Sequence, residues 1–322
     1  MNDLNQRYYE FRNRINDRLR HLDMPESIQA FRKSLEYALQ GEGKRIRPVL
    51  LLLVGTSMDK SVDELMPAAL AIEILHTFTL VHDDIMDEDD MRRGQATIHK
   101  KWNANTAILS GDGLFALAYR ELMRAKHSKI DEIGIQFSEA LLKICEGQAR
   151  DMNFEQRDDV TPGEYLAMVE LKTGELLGLS CKIGAMLADA DPKIVTWLDD
   201  FGRKLGQAFQ IQDDVLEISS DEEQMGKSLG SDFAAGKKTY PLTLVLSRLN
   251  QDEKKKFISF LKNNSYNRKE VLRKFRHYEA LMESKRVILE LINSALADLD
   301  KCPNAISQNL KFLVDLISNR DH

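Results

Sequence analysis

Apolar residues recur along this chain at spacings of three and four. Leu65, Ala68, Ala69, Ile72, Leu75, Phe78 and Thr79 form one stripe, and Tyr165, Met168, Val169 and Leu176 a second. A third runs through Ile288, Leu291, Ile292, Ala295 and Leu299. At 3.6 residues per turn each set falls on one face, so each predicts a helix with a buried side. Strand signals are weak, because no alternating Val/Ile/Thr run is flanked by an Asn-Gly or Asp-Gly turn. Breaks fall at Gly41–Gly43, at Arg93–Gly94, at Asp158–Gly163 with a Thr161-Pro162 helix start, at Asp191-Pro192 and at Ser219–Lys238. None is a long Pro/Ser/Gly linker, and no short-period repeat or low-complexity tract appears. The pattern predicts an all-α fold of one domain over 1–322, with outer helices from about 250 to 322 covering the core.

Composition narrows the class. The 322 residues are 43% hydrophobic and 30% charged, ordinary for a globular chain. Forty-five basic against 51 acidic side chains give net −6, too mild to argue for nucleic acid or an anionic membrane as partner. Cys145, Cys181 and Cys302 are few, odd in number and far apart, as in a reducing cytoplasm. The N-terminal stretch is charged throughout, unlike a secretory signal. The longest apolar run, Val49 to Val54, is far short of the roughly 20 residues of a membrane span. These features predict a soluble, cytoplasmic protein with no transmembrane segment.

Two acidic constellations carry the candidate chemistry. The first is His82-Asp83-Asp84-Ile85-Met86-Asp87-Glu88-Asp89-Asp90-Met91-Arg92-Arg93-Gly94. Asp83 and Asp87 are one helical turn apart, so their carboxylates share a face and repel unless a cation sits between them. Hard oxygen ligands without Cys or His suit magnesium. The second is Phe209-Gln210-Ile211-Gln212-Asp213-Asp214-Val215-Leu216-Glu217, again with its polar residues on one helix face. Both follow apolar stretches, an arrangement that predicts two facing walls of one metal site rather than two solvated helix ends.

Cations accompany them: Arg92-Arg93 after the first; Lys227, Lys237 and Lys238 after the second; Gly43-Lys44-Arg45-Ile46-Arg47-Pro48; and Leu171-Lys172-Thr173-Gly174 inside an apolar helix. Arginine forks and lysine point charges suit a diphosphate. The chain has no Gly-x-x-x-x-Gly-Lys-Ser/Thr loop, no Gly-x-Gly-x-x-Gly and no Gly-x-Ser-x-Gly, so a nucleotide P-loop, a dinucleotide fold and a serine hydrolase are excluded.

From about Gly41 to Pro241 the chain resembles the trans-isoprenyl diphosphate synthases, the polyprenyl synthetases. The matching motifs are GKRIRP at 43–48, DDIMDEDDMRRG at 83–94, GQARD at 147–151, KTG at 172–174, FQIQDDVLE at 209–217 and GKSLGSD…GKK at 226–238. The resemblance implies a head-to-tail condensation. An allylic diphosphate (dimethylallyl, geranyl or farnesyl) held through about three Mg2+ ions ionises, the double bond of isopentenyl diphosphate attacks the cation, and a proton is lost. It implies Asp83, Asp87, Asp151 and Asp213 for magnesium, with Asp84 and Asp214 in support. It implies Arg92, Lys172, Lys227 and Lys237 for the allylic diphosphate, and Lys44, Arg47, His76 and Arg93 for isopentenyl diphosphate. Thr173 and Gln210 are expected to face the carbocation, with Gln148 completing the polar wall. The family also implies a homodimer. Glu217 departs from the usual aspartate, a tuning of the second motif.

Product length is expected from the side chains before the first motif. Phe78 stands five positions before Asp83, small Thr79 four before it, and no two-residue insertion separates Asp84 from Asp87. In the family this pattern resembles makers of C20 geranylgeranyl diphosphate, with farnesyl or longer products as alternatives. On an ideal helix Phe78 lies well around from Asp83, and plain core packing is its alternative reading. Rival functions are a terpene cyclase, which would not need GKRIRP, Arg93 or His76, and a non-catalytic partner subunit, which would lack the aspartates.

Overall fold

The computed structural model describes residues 2–41, 43–219, 236–262 and 268–318. Contacts group the chain into two interleaved units, Met1–Glu139 with Leu179–Asp199 and Leu299–Leu316, and Ala140–Gly178 with Asp200–Asp298 and Ile317–His322. The divisions between them fall largely inside helices rather than at linkers.

The first unit opens with α1 (Asn2–Arg20), α2 (Gln29–Gln40), α3 (Ile46–Thr56) and α4 (Val62–Met86). Helix α4 starts at a capping box, with Ser61 accepting from the Glu64 N–H and Glu64 accepting from the Ser61 N–H. From Leu65 to Leu75 it is buried apart from Pro67, because α3 and α6 (Ala104–Met123) pack against it. Its most apolar window is long enough to cross a membrane, yet 67% of that window is buried inside the chain, as in a core helix. A search for unbroken apolar runs passes over it because Glu73, His76 and Thr77 interrupt the run.

After α4 the chain makes a two-residue antiparallel ladder, β1 (Met91–Arg92) with β2 (Gln95–Ala96). The weak strand signals in the sequence gave no sign of this hairpin. Its turn residues, Arg93 and Gly94, both have positive φ (51° and 76°), as a tight two-residue hairpin requires. A short α5 (Ile98–Lys101) leads into α6, and α7 (Ile130–Glu155) follows.

In the second unit α8 (Pro162–Val169) begins at the Thr161-Pro162 signal, with Thr161 and Glu164 forming a capping box. It continues as a π-helical turn over Glu170–Gly174 and then as α9 (Glu175–Leu187). Helix α10 (Pro192–Ser219) carries the second acidic motif, and α11 (Tyr240–Ser247), α12 (Gln251–Lys262), α13 (Arg268–His277) and α14 (Ala280–Leu299) follow. Tyr165, Ile211, Val215, Val245, Phe257, Phe275 and Ile288 are buried in one cluster, so the helices after residue 250 supply core side chains as well as cover. The last helix, α15 (Asn304–Ser318), falls mostly within the first unit.

Candidate active site

At the end of α4, residues 76, 79, 80, 83 and 87 share one helical face. Asp83 and Asp87 are half-buried there, and the Asp87 N–H closes the helix on the Asp83 carbonyl at 2.8 Å. Asp84 points elsewhere. It is 6% exposed and its carboxylate accepts from Arg92 Nε, while Arg92 Nη2 reaches Asp89 at 3.4 Å. Burial raises the Asp84 pKa, and the Arg92 guanidinium opposes that rise. The hairpin is what returns Arg92 to α4, and Thr97 Oγ1 secures it by donating to the Asp89 carbonyl at 2.8 Å.

Nearby, the loop between α2 and α3 is organised by Arg45, buried and left-handed at φ 49°. Its guanidinium donates to Asn16 Oδ1 (2.9 Å), Glu73 Oε1 (2.5 Å) and the Gly41 carbonyl (2.7 Å). Arg45 is thus the internal member of its cluster. Lys44 is exposed, and Arg47 Nη1 donates to His76 Nε2 at 3.1 Å. Burial, then Arg47, Arg93, Arg92 and Arg45, drive the His76 pKa well below its ordinary value, so the imidazole is neutral at pH 7 and accepts from Arg47. A Cβ on Gly43 would stand 2.8 Å from Arg93 Nη1, so glycine is what lets that guanidinium approach the loop. Arg47 and Arg93 therefore stand beside a neutral histidine, with exposed Lys44 on the same loop as Arg47, a set of cations suited to an anion.

Phe78, on the α4 face toward α6, packs its ring 5.8 Å from Phe115 and 4.8 Å from His82. It is half-buried. Thr79 Oγ1 donates to the His76 carbonyl at 2.9 Å, so its small side chain is turned back on its own helix.

The second cluster is built on the π turn. The Glu175 N–H bonds the Glu170 carbonyl, five residues back, and such turns recur at functional sites because they displace the side chains they carry. Here Lys172 Nζ is 2.5 Å from Asp151 Oδ2, and Thr173 Oγ1 donates to Gln210 Oε1 at 3.2 Å. Gln210 Nε2 donates to Asp214 Oδ1 at 3.2 Å. Asp214 Oδ2 accepts from Tyr165 Oη at 2.6 Å and from the Tyr240 N–H at 2.9 Å. Burial pushes the Asp214 carboxyl up to about 6 despite these three donors. Asp213, one residue earlier, is exposed.

A cavity of about 180 Å³ opens here, lined by Lys172, Thr173, Gln210, Glu217, Lys237 and Thr239 among others. Among the described residues, Thr239 Oγ1 is buried without a hydrogen-bond partner, and both amide atoms of Gln148, 7% exposed, are likewise unpartnered. Orphaned buried polar atoms cost about 1–3 kcal/mol each unless a ligand satisfies them.

The donor set fits magnesium. Among the described residues no three His, Cys, Asp or Glu side chains form a preassembled cage. Magnesium does not need one, since it binds through one or two carboxylates plus waters and substrate phosphates. The half-buried Asp83 and Asp87 and the exposed Asp213 are solvent-accessible hard-oxygen donors, whereas Asp84 and Asp214 are committed to internal partners.

The expected residues thus gather as two groups. Lys44, Arg47, His76, Asp83, Asp84, Asp87, Arg92 and Arg93 lie in the first unit, and Gln148, Asp151, Lys172, Thr173, Gln210, Asp213, Asp214 and Lys237 in the second. Lys227 lies outside the described residues. Reading by motif passed over Arg45, Glu73, Tyr165 and Thr239. The first three act through partners distant in sequence and Thr239 lines the cavity, and no local spacing marks any of them.

The sequence model of the family described as "Polyprenyl synthetase" matches residues 28–278. A short chain isoprenyl diphosphate synthase of Methanothermobacter thermautotrophicus is 35% identical over 323 residues, covering 99% of this chain and 98% of that protein. A geranylgeranyl diphosphate synthase of Sulfolobus acidocaldarius is 39% identical over 269 residues, 82% of this chain and 81% of that one. Among solved structures, geranylgeranyl pyrophosphate synthetase of Pyrococcus horikoshii superposes with a TM-score of 0.91 at 30% identity, covering 98% of this chain and 99% of its own.

Proposed function

This chain belongs to the polyprenyl synthetase family, and from that premise we propose that it condenses isopentenyl diphosphate head-to-tail with an allylic diphosphate to make geranylgeranyl diphosphate. It is a prenyltransferase. The observation that carries the reading is the division of labour among its cations and carboxylates: solvent-accessible Asp83 and Asp87 flank a buried Asp84 that Arg92 holds, while Arg47 and Arg93 stand beside a neutral histidine.

Asp83, Asp87 and Asp213 are the magnesium ligands we assign, with Asp151 beside Lys172 as a further carboxylate. Bound there, magnesium would neutralise the allylic diphosphate and make pyrophosphate a better leaving group. Arg92, Lys172 and Lys237 hold diphosphate oxygens as charge develops on them. Lys44, Arg47 and Arg93 bind isopentenyl diphosphate without metal, and neutral His76 fixes the Arg47 fork by accepting from it. Thr173 and Gln210 present oxygens to the carbocation, and the unpartnered amide of Gln148 has bonds to offer a polar ligand. The allylic C–O bond breaks, the isopentenyl double bond forms the new C–C bond, and a proton is lost. No protein nucleophile is required.

The C20 assignment rests on Phe78, which closes the α4 face toward α6 together with Phe115, while small Thr79 leaves the next position open. The relatives named above as geranylgeranyl synthases support the same length. We also read the protein as a cytoplasmic homodimer. Burial of α4 supports a soluble chain, and exposed Ile108, Leu109, Tyr119 and Met123 along α6 offer an apolar face to a second copy.

Chromatography of products made by the purified chain from labelled isopentenyl diphosphate and each allylic starter tests the reading. The expected product is C20 from wild type, longer chains from Phe78→Ala and shorter ones from Thr79→Phe. Consumption of the allylic substrate without isopentenyl diphosphate would indicate a cyclase, and no turnover by the chain alone a partner subunit. Unchanged lengths in both variants would move the floor elsewhere.

A further inference from the structure

Helix α1 precedes the 28–278 stretch that the family model describes, yet its side chains reach the loop that carries Lys44 and Arg47. Tyr8, Phe11, Ile15 and Leu19 form its buried stripe, which packs on α2, α3 and α4. From Tyr8 in that stripe, Arg12 and Asn16 follow at i+4 and i+8, one above the other. They meet three consecutive residues of the loop. Tyr8 Oη donates to the Lys44 carbonyl at 2.5 Å, Arg12 Nε donates to the Gly43 carbonyl at 3.1 Å, and Asn16 Oδ1 accepts from Arg45 Nε at 2.9 Å.

The loop needs such support. Arg45 is held in a left-handed conformation that a residue with a Cβ adopts only when its surroundings impose it. Gly43 must stay close enough to admit the Arg93 guanidinium, and the backbone of Lys44 sets where its exposed ammonium points. Two main-chain carbonyls in a row are tied to α1, and the Arg45 guanidinium carries the tie on to Glu73, three residues before His76.

We propose that Tyr8, Arg12 and Asn16 are positioning residues for the metal-free diphosphate site, with α1 acting as a ruler that sets the Gly43-Lys44-Arg45 backbone and through it the reach of Lys44 and Arg47. This rests on the assignment of Lys44 and Arg47 to isopentenyl diphosphate made above. The three side chains act through the loop and touch no substrate.

Steady-state kinetics of the full chain with both substrates, together with thermal melting, tests it. The variants are Tyr8→Phe, Arg12→Leu, the double variant and Arg12→Lys, with Lys44→Ala as the reference. The double variant is expected to raise KM for isopentenyl diphosphate about tenfold, the worth of one or two net hydrogen bonds. KM for the allylic substrate and kcat at saturation stay within about twofold on the same reasoning. Arg12→Lys, which keeps a donor for the Gly43 carbonyl, recovers most of the loss. A fall in kcat with both KM values unchanged, or an equal rise in both, overturns the proposal and leaves α1 a plain packing helix. If Lys44→Ala itself leaves KM for isopentenyl diphosphate untouched, the site assignment fails instead. If Lys44→Ala raises it and the α1 variants do not, the ruler alone fails.

Discussion

Asp214 has its oxygens committed to Tyr165, Tyr240 and Gln210 inside the fold, whereas its sequence neighbour Asp213 is exposed. Asp84 and Asp83 divide in the same way, with Arg92 holding the buried member. In each motif, then, one aspartate is held by partners inside the fold and the adjacent one stays solvent-accessible. The cost of burying Asp214 has a measurable consequence. Its folded pKa, about 6, lies above the ordinary 3.8, so the native state keeps a proton that the unfolded chain releases. The stability this contributes is complete below about pH 4 and is lost as pH rises through about 6, an effect on the order of a few kcal/mol. Melting of the metal-free protein is the check. The wild-type melting temperature should fall relative to Asp214→Asn between about pH 4 and 6 and run parallel to it above that. A constant difference across the range would mean that Asp214 does not titrate there.

At the scale of elements, the π turn at Glu170–Gly174 decides where Lys172 and Thr173 go, and it is shaped by glycines. A Cβ on Gly147 of α7 would stand 2.5 Å from the Lys172 backbone nitrogen and 2.8 Å from its Cα. A Cβ on Gly206 of α10 would likewise stand 2.6 Å from the Gly174 Cα. These are backbone atoms, which cannot move aside as a flexible side chain would. Helices α7 and α10 therefore grip the turn from two directions, and Asp151, one turn beyond Gly147 on α7, is brought to Lys172 by the same approach. Gly147→Ala is expected to cost about 1–3 kcal/mol by overpacking, which lowers the melting temperature by several degrees. Because the displaced backbone is that of Lys172, turnover should fall by about tenfold or more even at temperatures where the variant is fully folded. Calorimetry paired with a turnover assay reads both, and wild-type values for both would show that α7 can shift without disturbing the turn.

For the whole molecule, the apolar side chains left exposed bear on assembly. Leu109 is 59% exposed and Ile135 58%, and α6 presents Ile108, Tyr119 and Met123 on the same outward stripe. We expect light scattering to give twice the 36.8 kDa chain mass, and Leu109→Lys with Tyr119→Glu to return it to that of one chain. A monomeric wild type would remove the dimer. Much of this protein was legible in its residues alone: the helical stripes, the Thr161-Pro162 start, the interruption at Lys172-Thr173-Gly174, and the two acidic motifs with their cations. Those features are local, written by spacings of three and four and by residues that break helices, so a one-dimensional reading recovers them. The hairpin at Arg93-Gly94 escaped because its turn lacks the usual Asn or Asp and its strands are too short to show alternation. Which arginine of Gly43-Lys44-Arg45-Ile46-Arg47 is internal, which aspartate of each pair is buried, and that α1 reaches the Lys44 loop were all decided by the tertiary structure. Each depends on a partner contributed by a distant segment, such as Glu73 for Arg45, Tyr165 for Asp214 and Tyr8 for Lys44, and burial beside that partner sets the charge and position of the group.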